Sequence, residues 1–374
     1  MATVDLGIPP VSSFPEGRRQ LNICNSCRYC AGYCPVWPAL ERRVDLTPAD
    51  VTHLANLCHD CRDCYVACMY TPPHEFAVNP PELFAQVRHE TYERFVWPSP
   101  RPRWLRGRAA MVGALVGVSA LLIALSILTT GGAAFRAGVG SPYDFIEHWV
   151  LIGVAAAPAV FAVVVLFCAA LNYWRFTHGQ FRHLFNARAW LTALGQAATL
   201  RHQAGADDGC AYPKDAPSRA RRVFHQMVVY GFGLTLLSTT AAAFQQNVLG
   251  MYPPYPYLSV PVVSGTVGGV MQVVGCIALM AIKRRSARDQ TISSMWRADY
   301  AFLWALLILN VTGLLVLVLR TTALFGTTLV IHLAAVLVAF AIAPYTKFVH
   351  WIFRLLAIYQ NALEVDAAKE NSRR

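Results

Sequence analysis

The sequence predicts an all-α protein: a small cysteine-rich helical domain followed by a six-helix transmembrane bundle. Two observations predict it. The cysteine pattern C-x2-C-x2-C-x3-C is written twice between Cys24 and Cys68. Beyond residue 108 the chain alternates long apolar runs with basic loops. Composition agrees, with 55% hydrophobic and only 14% charged residues, against about 25% charged in ordinary soluble domains. The net charge of +11 invites a nucleic-acid reading. The positive residues, however, gather at the ends of apolar runs, where membrane topology and lipid headgroups account for them. The expected partner surface is therefore membrane lipid, with no nucleic acid.

The first cysteine run is Cys24, Cys27, Cys30 and Cys34, followed by Pro35; the second is Cys58, Cys61, Cys64 and Cys68. Three thiolates at this spacing wrap one side of a cubane, and in two-cluster proteins the fourth cysteine of each run serves the other cluster. The pattern assigns Cys24, Cys27, Cys30 and Cys68 to one 4Fe–4S cluster, and Cys58, Cys61, Cys64 and Cys34 to a second. Structural zinc also uses C-x2-C pairs, but gives no reason for a third and fourth cysteine in each run. No secretory signal opens the chain, so reduced cytoplasmic thiols are expected rather than disulfides.

Residues 1–20 read as an extended tail and 21–98 as the dicluster, ferredoxin-like domain. Between the cysteine runs Thr47 can cap a helix, with Pro48 at its first position and Asp50 near its N-terminus; Val51, Leu54 and Leu57 then share a face. That helical linker makes the domain all-α. The proline pairs after Cys68 force an extended strap over the clusters, and a helix from Glu82 to Tyr92 follows. Arg94, Arg101, Arg103, Arg106 and Arg108 crowd the entry to the membrane part, 99–350.

Six runs are long enough to span a bilayer, which takes about 20 residues: 109–129, 145–171, 223–244, 262–282, 300–319 and 324–346. The segments 173–222 and 283–298 are rich in Lys and Arg, whereas 247–261 has neither. The positive-inside rule places the N-terminus, both basic loops and a C-terminal tail, 351–374, in the cytoplasm. Gly231, Gly233, Gly268 and Gly269 suit close helix or cofactor contact. Cys168 and Cys276 read as small buried apolar residues, and Cys210 as structural.

Histidines near the span ends fall into two depth-matched pairs. His225 with His350 fits an inner bis-histidine haem b, and His148 with His332 an outer one. On an unbroken helix, His332 and His350 would be about five turns and roughly 27 Å apart on one face, with Pro344 able to kink the helix between them. His178, His183 and His202 are rival inner ligands. No Walker motif, dinucleotide fingerprint or serine triad is present, and no catalytic side chain is expected.

These residues resemble the B proteins of tricarballylate and citrate utilisation over nearly the whole chain. The carriers are the doubled cysteine run, P-P-H-E-F-A-V-N from Pro72 to Asn79, G-C-A-Y-P from Gly209 to Pro213 and R-R-V-F-H-Q from Arg221 to Gln226. Further carriers are Y-G-F from Tyr230, S-T-T-A-A-A from Ser238, H-L-A-A-V-L-V-A-F from His332 and P-Y-T-K-F-V-H from Pro344. The last stretch also looks like the haem-bearing helix of the nitrate reductase gamma subunit, where two histidines on one helix serve different haems. The resemblance implies an electron-transfer protein of the bacterial inner membrane. Its partner would be an FAD-containing flavoprotein dehydrogenase and its final acceptor membrane quinone, at a site the sequence does not place. Two other readings are a catalytic quinone-linked membrane reductase, disfavoured by the lack of any Cys-Cys pair, and a haem-free iron–sulfur anchor.

Overall fold

The computed structural model describes residues 12–98, 108–132, 142–205 and 209–373. Arg101, Arg103, Arg106 and residues 1–11 of the expected tail lie outside them. The described residues are almost entirely helical, with one two-stranded hairpin pairing Cys210–Ala211 and Pro217–Ser218.

The N-terminal domain is built from α1 (Phe14–Cys27), α2 (Val36–Glu41), α3 (Pro48–Leu57), α4 (Asp63–Val66) and α5 (Pro80–Arg94). Residues 14–20, expected as tail, are the first half of α1. Pro15 suits a first helical turn, Glu16 favours the N-terminus, and Gln20 and Leu21 are buried. The start of α3 is a capping box: Asp50 N–H donates to the Thr47 hydroxyl at 3.2 Å, and Thr47 N–H to the Asp50 carboxylate at 3.0 Å. Val51, Leu54 and Leu57 are fully buried. Helix α5 begins two residues before the predicted start because Asn79 caps it and Pro80 takes its first position.

Among the described residues six helices are long and apolar enough to cross a membrane: Ala110–Thr130, His148–Phe176, Ala220–Asn247, Val260–Arg284, Ser293–Val318 and Phe325–Tyr345. The corresponding α-helices are α6 (Arg108–Thr130), α8 (His148–Phe176), α10 (Ala220–Asn247), α11 (Val260–Arg284), α12 (Ser293–Val318) and α13 (Phe325–Ile342). The short α7 (Pro142–Phe145) precedes α8, and α9 (Ala187–Thr199) lies between α8 and α10. Helices α10 and α11 touch backbone to backbone: a Cβ on Gly231 would stand 2.8 Å from the Gly268 carbonyl oxygen. Gly269 meets Leu314, and Gly233 faces open space.

One helix over 324–346 is not what forms. Helix α13 ends at Ile342, 3-10 turns follow at Ala343–Tyr345 and Lys347–Val349, and Thr346 between them is extended. Pro344 cannot donate its backbone hydrogen bond, and the Thr346 hydroxyl accepts from Phe348 N–H at 3.2 Å to restart the chain. A new helix, α14 (His350–Asn371), then begins. His332 and His350 therefore sit on different helices, unlike the gamma-subunit pattern. The expected C-terminal tail is a 22-residue helix.

Helix α14 joins the two halves. Phe353, Leu356, Ile358 and Tyr359 share a buried core with Leu54 and Phe84 of the N-terminal domain and Tyr173 and Trp174 of α8. Phe95 meets Tyr173 at 5.9 Å and Phe353 at 6.0 Å between ring centroids. Farther along, Glu364 pairs with Arg43 at 2.7 Å and Arg42 at 3.2 Å. At the foot of α14, Asp299 of α12 takes both Lys283 of α11 and Lys347. The N-terminal domain thus sits at the helix ends that carry the basic segments.

Candidate functional site

The eight cysteines of the doubled run line two cavities. The first is lined by Cys24, Cys27, Cys30, Cys64 and Cys68. The second is lined by Cys34, Cys58, Cys61 and Cys64, so that Cys64 borders both. Left-handed backbone at Arg28, Asp60 and Arg62 turns the chain between the cysteines. Backbone amides point at sulfur: Asp60 N–H donates to Cys58 Sγ at 3.4 Å, and Tyr70 N–H to Cys68 Sγ at 3.3 Å. The strap after Cys68 places Met69, Tyr70 and Val78 on the first cavity.

Burial, then the neighbouring Cys68, Cys30 and Cys27, push the Cys24 thiol up to about 12. Burial, then Cys68 and Cys27, push Cys30 up to about 11. In the second quartet burial first, then Cys61, Cys34 and Cys58, raise Cys64 well above the ordinary thiol value. Such crowded thiols give up their protons only to a cation, so each quartet suits a cationic iron–sulfur core. Among the described residues no three His, Cys, Asp or Glu side chains converge at single-ion distance. The cavities differ in depth. Cys27 is exposed, as are Tyr29 and Met69 beside it; Cys61 is buried, with His59, Arg62, Phe84 and His202 closing its cavity.

The loop Cys58–Arg62 is held from the membrane side. Arg354 donates to the Cys58 carbonyl at 2.7 Å. Arg221 donates to the carbonyls of Asp60 and, at 3.2 Å, His59. Burial would raise the Asp60 carboxyl, but Arg62 and Arg221, at 3.7 and 3.8 Å, outweigh it and hold it below the usual carboxylate range. Both guanidinium groups also lie over the Tyr212 ring. Cys210 packs beside Cys61 and Tyr212, and its thiol donates to the Gln203 carbonyl at 2.9 Å.

Arg221 and Arg354 stand one helical turn, about 6 Å, from His225 and His350. Those two imidazoles face each other, with ring centroids 6.5 Å apart. The Nδ1 atoms are engaged elsewhere: His350 Nδ1 meets the Lys347 carbonyl at 2.5 Å, and His225 Nδ1 the Gln203 side-chain amide at 2.7 Å. The other amide atom of Gln203, Oε1, is buried without a partner. Turning that amide end for end gives His225 an acceptor for Nδ1–H and leaves Nε2 with its lone pair, the arrangement a metal-binding histidine needs. Burial, then Lys347 and Arg354, push His350 down to about 3, so it is neutral.

The expected outer pair is not brought together. His148 opens α8 between the rings of Tyr143 and Trp149 and meets Gln246 of α10 at 2.7 Å. His332 lies against α12, with Nδ1 3.1 Å from the Thr312 hydroxyl and its ring edge over Gly313. Of the rival inner ligands, His178 and His183 are exposed; His202 lies against His59, ring centroids 5.2 Å apart and tilted, beside the second cavity. Gln203, Arg221 and Arg354 escaped sequence reasoning as site residues. Arg221 and Arg354 each stand four positions from a singled-out histidine, the one signal that could have found them; Gln203 carried none.

Comparison with known proteins bears on both halves. Residues 17–94 match the model of the citrate utilization protein B Fer4-like domain, and residues 103–371 that of citrate utilization protein B. The chain is 32% identical over 358 residues to citrate utilization protein B of Escherichia coli, covering 95% of this chain and 93% of that protein. No solved structure matches.

Proposed function

The chain belongs to the citrate utilization protein B family, and from that premise we propose that it is a membrane electron-transfer protein. It takes electrons from the reduced flavin of an FAD-containing dehydrogenase of a tricarballylate or citrate type and delivers them to membrane quinone. Cys24, Cys27, Cys30 and Cys68 hold one 4Fe–4S cluster; Cys34, Cys58, Cys61 and Cys64 hold a second; His225 and His350 hold a b haem. When bound, these groups supply one-electron redox chemistry, and no side chain of the chain acts as nucleophile or base.

The observation that carries this reading is the double staple on the Cys58–Arg62 loop. Arg354 and Arg221 tie that loop to the two helices whose histidines face each other one turn away. Thiols and imidazoles are thereby fixed in one frame, with no mobile linker between them. The exposed Cys27 corner faces water, where a soluble flavoprotein can reach it. The positive-inside rule assigns the end bearing the basic segments, and with it the cysteine domain and α14, to the cytoplasm. A second haem at His148 and His332 is not part of the proposal, and no quinone site is assigned.

The test is the dithionite-reduced minus oxidised visible spectrum of the detergent-purified protein, with iron and acid-labile sulfide counted on the same sample. Sharp b-type bands together with iron and sulfide for two cubanes are expected. Iron and sulfide without those bands would reduce the protein to a haem-free iron–sulfur anchor and overturn the histidine assignment.

A further inference from the structure

Helix α9 has an apolar stripe on the wrong side for a globular core. Ala189 and Ala193 are buried, and Trp190 stacks on Tyr359 of α14 at 4.2 Å. That face explains how α9 is held. The opposite face carries Ala187, Leu191, Leu194 and Ala198, all exposed, with Leu191 74% and Leu194 50% accessible. At about 100° per residue these four fall within about 60° of one another. Phe181 and Phe185, just before the helix, are exposed as well. Arg182 and Arg188 stand exposed among them.

The position of α9 says what covers this stripe. It follows directly on α8, and its C-terminal carbonyls are fastened to the first turns of α10. Arg222 donates to the Thr199 carbonyl at 2.7 Å, Gln226 to the same oxygen at 3.1 Å, and Tyr230 to the Ala198 carbonyl at 2.6 Å. These bonds satisfy carbonyls that a helix end leaves unpaired. They also fix α9 at the depth where α10 enters the bilayer. Val223, Val229 and Tyr230 of α10 are exposed beside these bonds, and Leu236 and Leu237 beyond them. The stripe of α9 is thus an extension of the lipid-facing surface of a spanning helix.

We propose that α9 is an in-plane interfacial helix. Leu191, Leu194, Phe181 and Phe185 enter the acyl–headgroup boundary, and Arg182 and Arg188 meet anionic lipid phosphates. This is the arrangement that an amphipathic helix with cationic flanks adopts on a membrane surface. The proposal rests on the membrane-spanning helices and not on the haem reading. It gives lipid a mechanical connection to the site, because the turn after α9 carries Gln203, which holds His225.

The test uses the full-length protein in nanodiscs of mixed phosphatidylethanolamine and phosphatidylglycerol, with a photo-crosslinking amino acid at 191, at 194 or, as a control, at the exposed position 369. Lipid adducts are read by mass spectrometry. Several-fold more lipid adduct at 191 and 194 than at 369 is expected, falling when Arg182 and Arg188 are both replaced by alanine. Equal yields at the three positions would overturn the proposal. So would adducts at 191 and 194 joining two copies of the chain, or an adduct yield that ignores the arginines.

Discussion

The two histidine pairs began as equals in the sequence, matched in depth at opposite ends of the bundle, and the structure treats them differently. His225 and His350 face each other at 6.5 Å, each with Nδ1 engaged elsewhere. His148 and His332 turn to different neighbours, Gln246 and Thr312. Depth along a bundle is one coordinate, and the azimuth of a side chain is another. The inner pair gains its azimuth from contacts outside the bundle: Arg221 and Arg354 both grip the cysteine loop, and so fix the rotation of their helices.

The largest effect that would break this contrast comes from removing ligands one at a time. His225→Ala or His350→Ala should abolish the b-type bands while leaving the iron and sulfide count intact. His148→Ala or His332→Ala should leave the bands in place; their loss in either outer variant would erase the distinction. A smaller effect should come from Gln203. Gln203→Ala removes the acceptor for His225 Nδ1–H and should raise the midpoint potential of the bound haem, with about 10–100-fold weaker retention. Gln203→Glu places a carboxylate there and should lower the potential. Redox titration checks both signs, and a shift in the same direction for the two variants would reject the positioning role. The smallest effect is expected at the far end of α14. Glu364→Gln weakens the pairs with Arg42 and Arg43 and should cost about 1–2 kcal/mol, read as a lower thermal midpoint with the visible spectrum unchanged.

Part of the cysteine domain was legible in the sequence, because short-range spacing fixes the Thr47–Asp50 cap and the apolar face of α3 behind it. Six long apolar helices were legible for the same reason: their length is a local property. The N-terminal half of α1 was misread as tail because Gln20 and Leu21 find their burial only against residues far along the chain. The break at Pro344 was visible as a possible kink, but the restart at Thr346 depends on a side-chain cap that a hydropathy reading passes over. Helix α14 was misread most completely. Its charged end resembles a solvated tail, and only the packing of Phe353 and Tyr359 and the pairing of Glu364 with Arg43 reveal it as core. The bonds from the cysteine loop to the histidine helices are tertiary, and the sequence carries only the four-residue spacing of Arg221 and Arg354 from their histidines.

Helix α14 follows all six apolar helices along the chain, yet it supplies His350, the Arg354 bond to Cys58 and the Glu364 clamp on Arg43. The cysteines are translated hundreds of residues earlier and must wait with one wall missing until all six apolar helices have been made. Construction therefore has an order: the wall that Arg354 closes over the Cys58 loop arrives only after all six apolar helices.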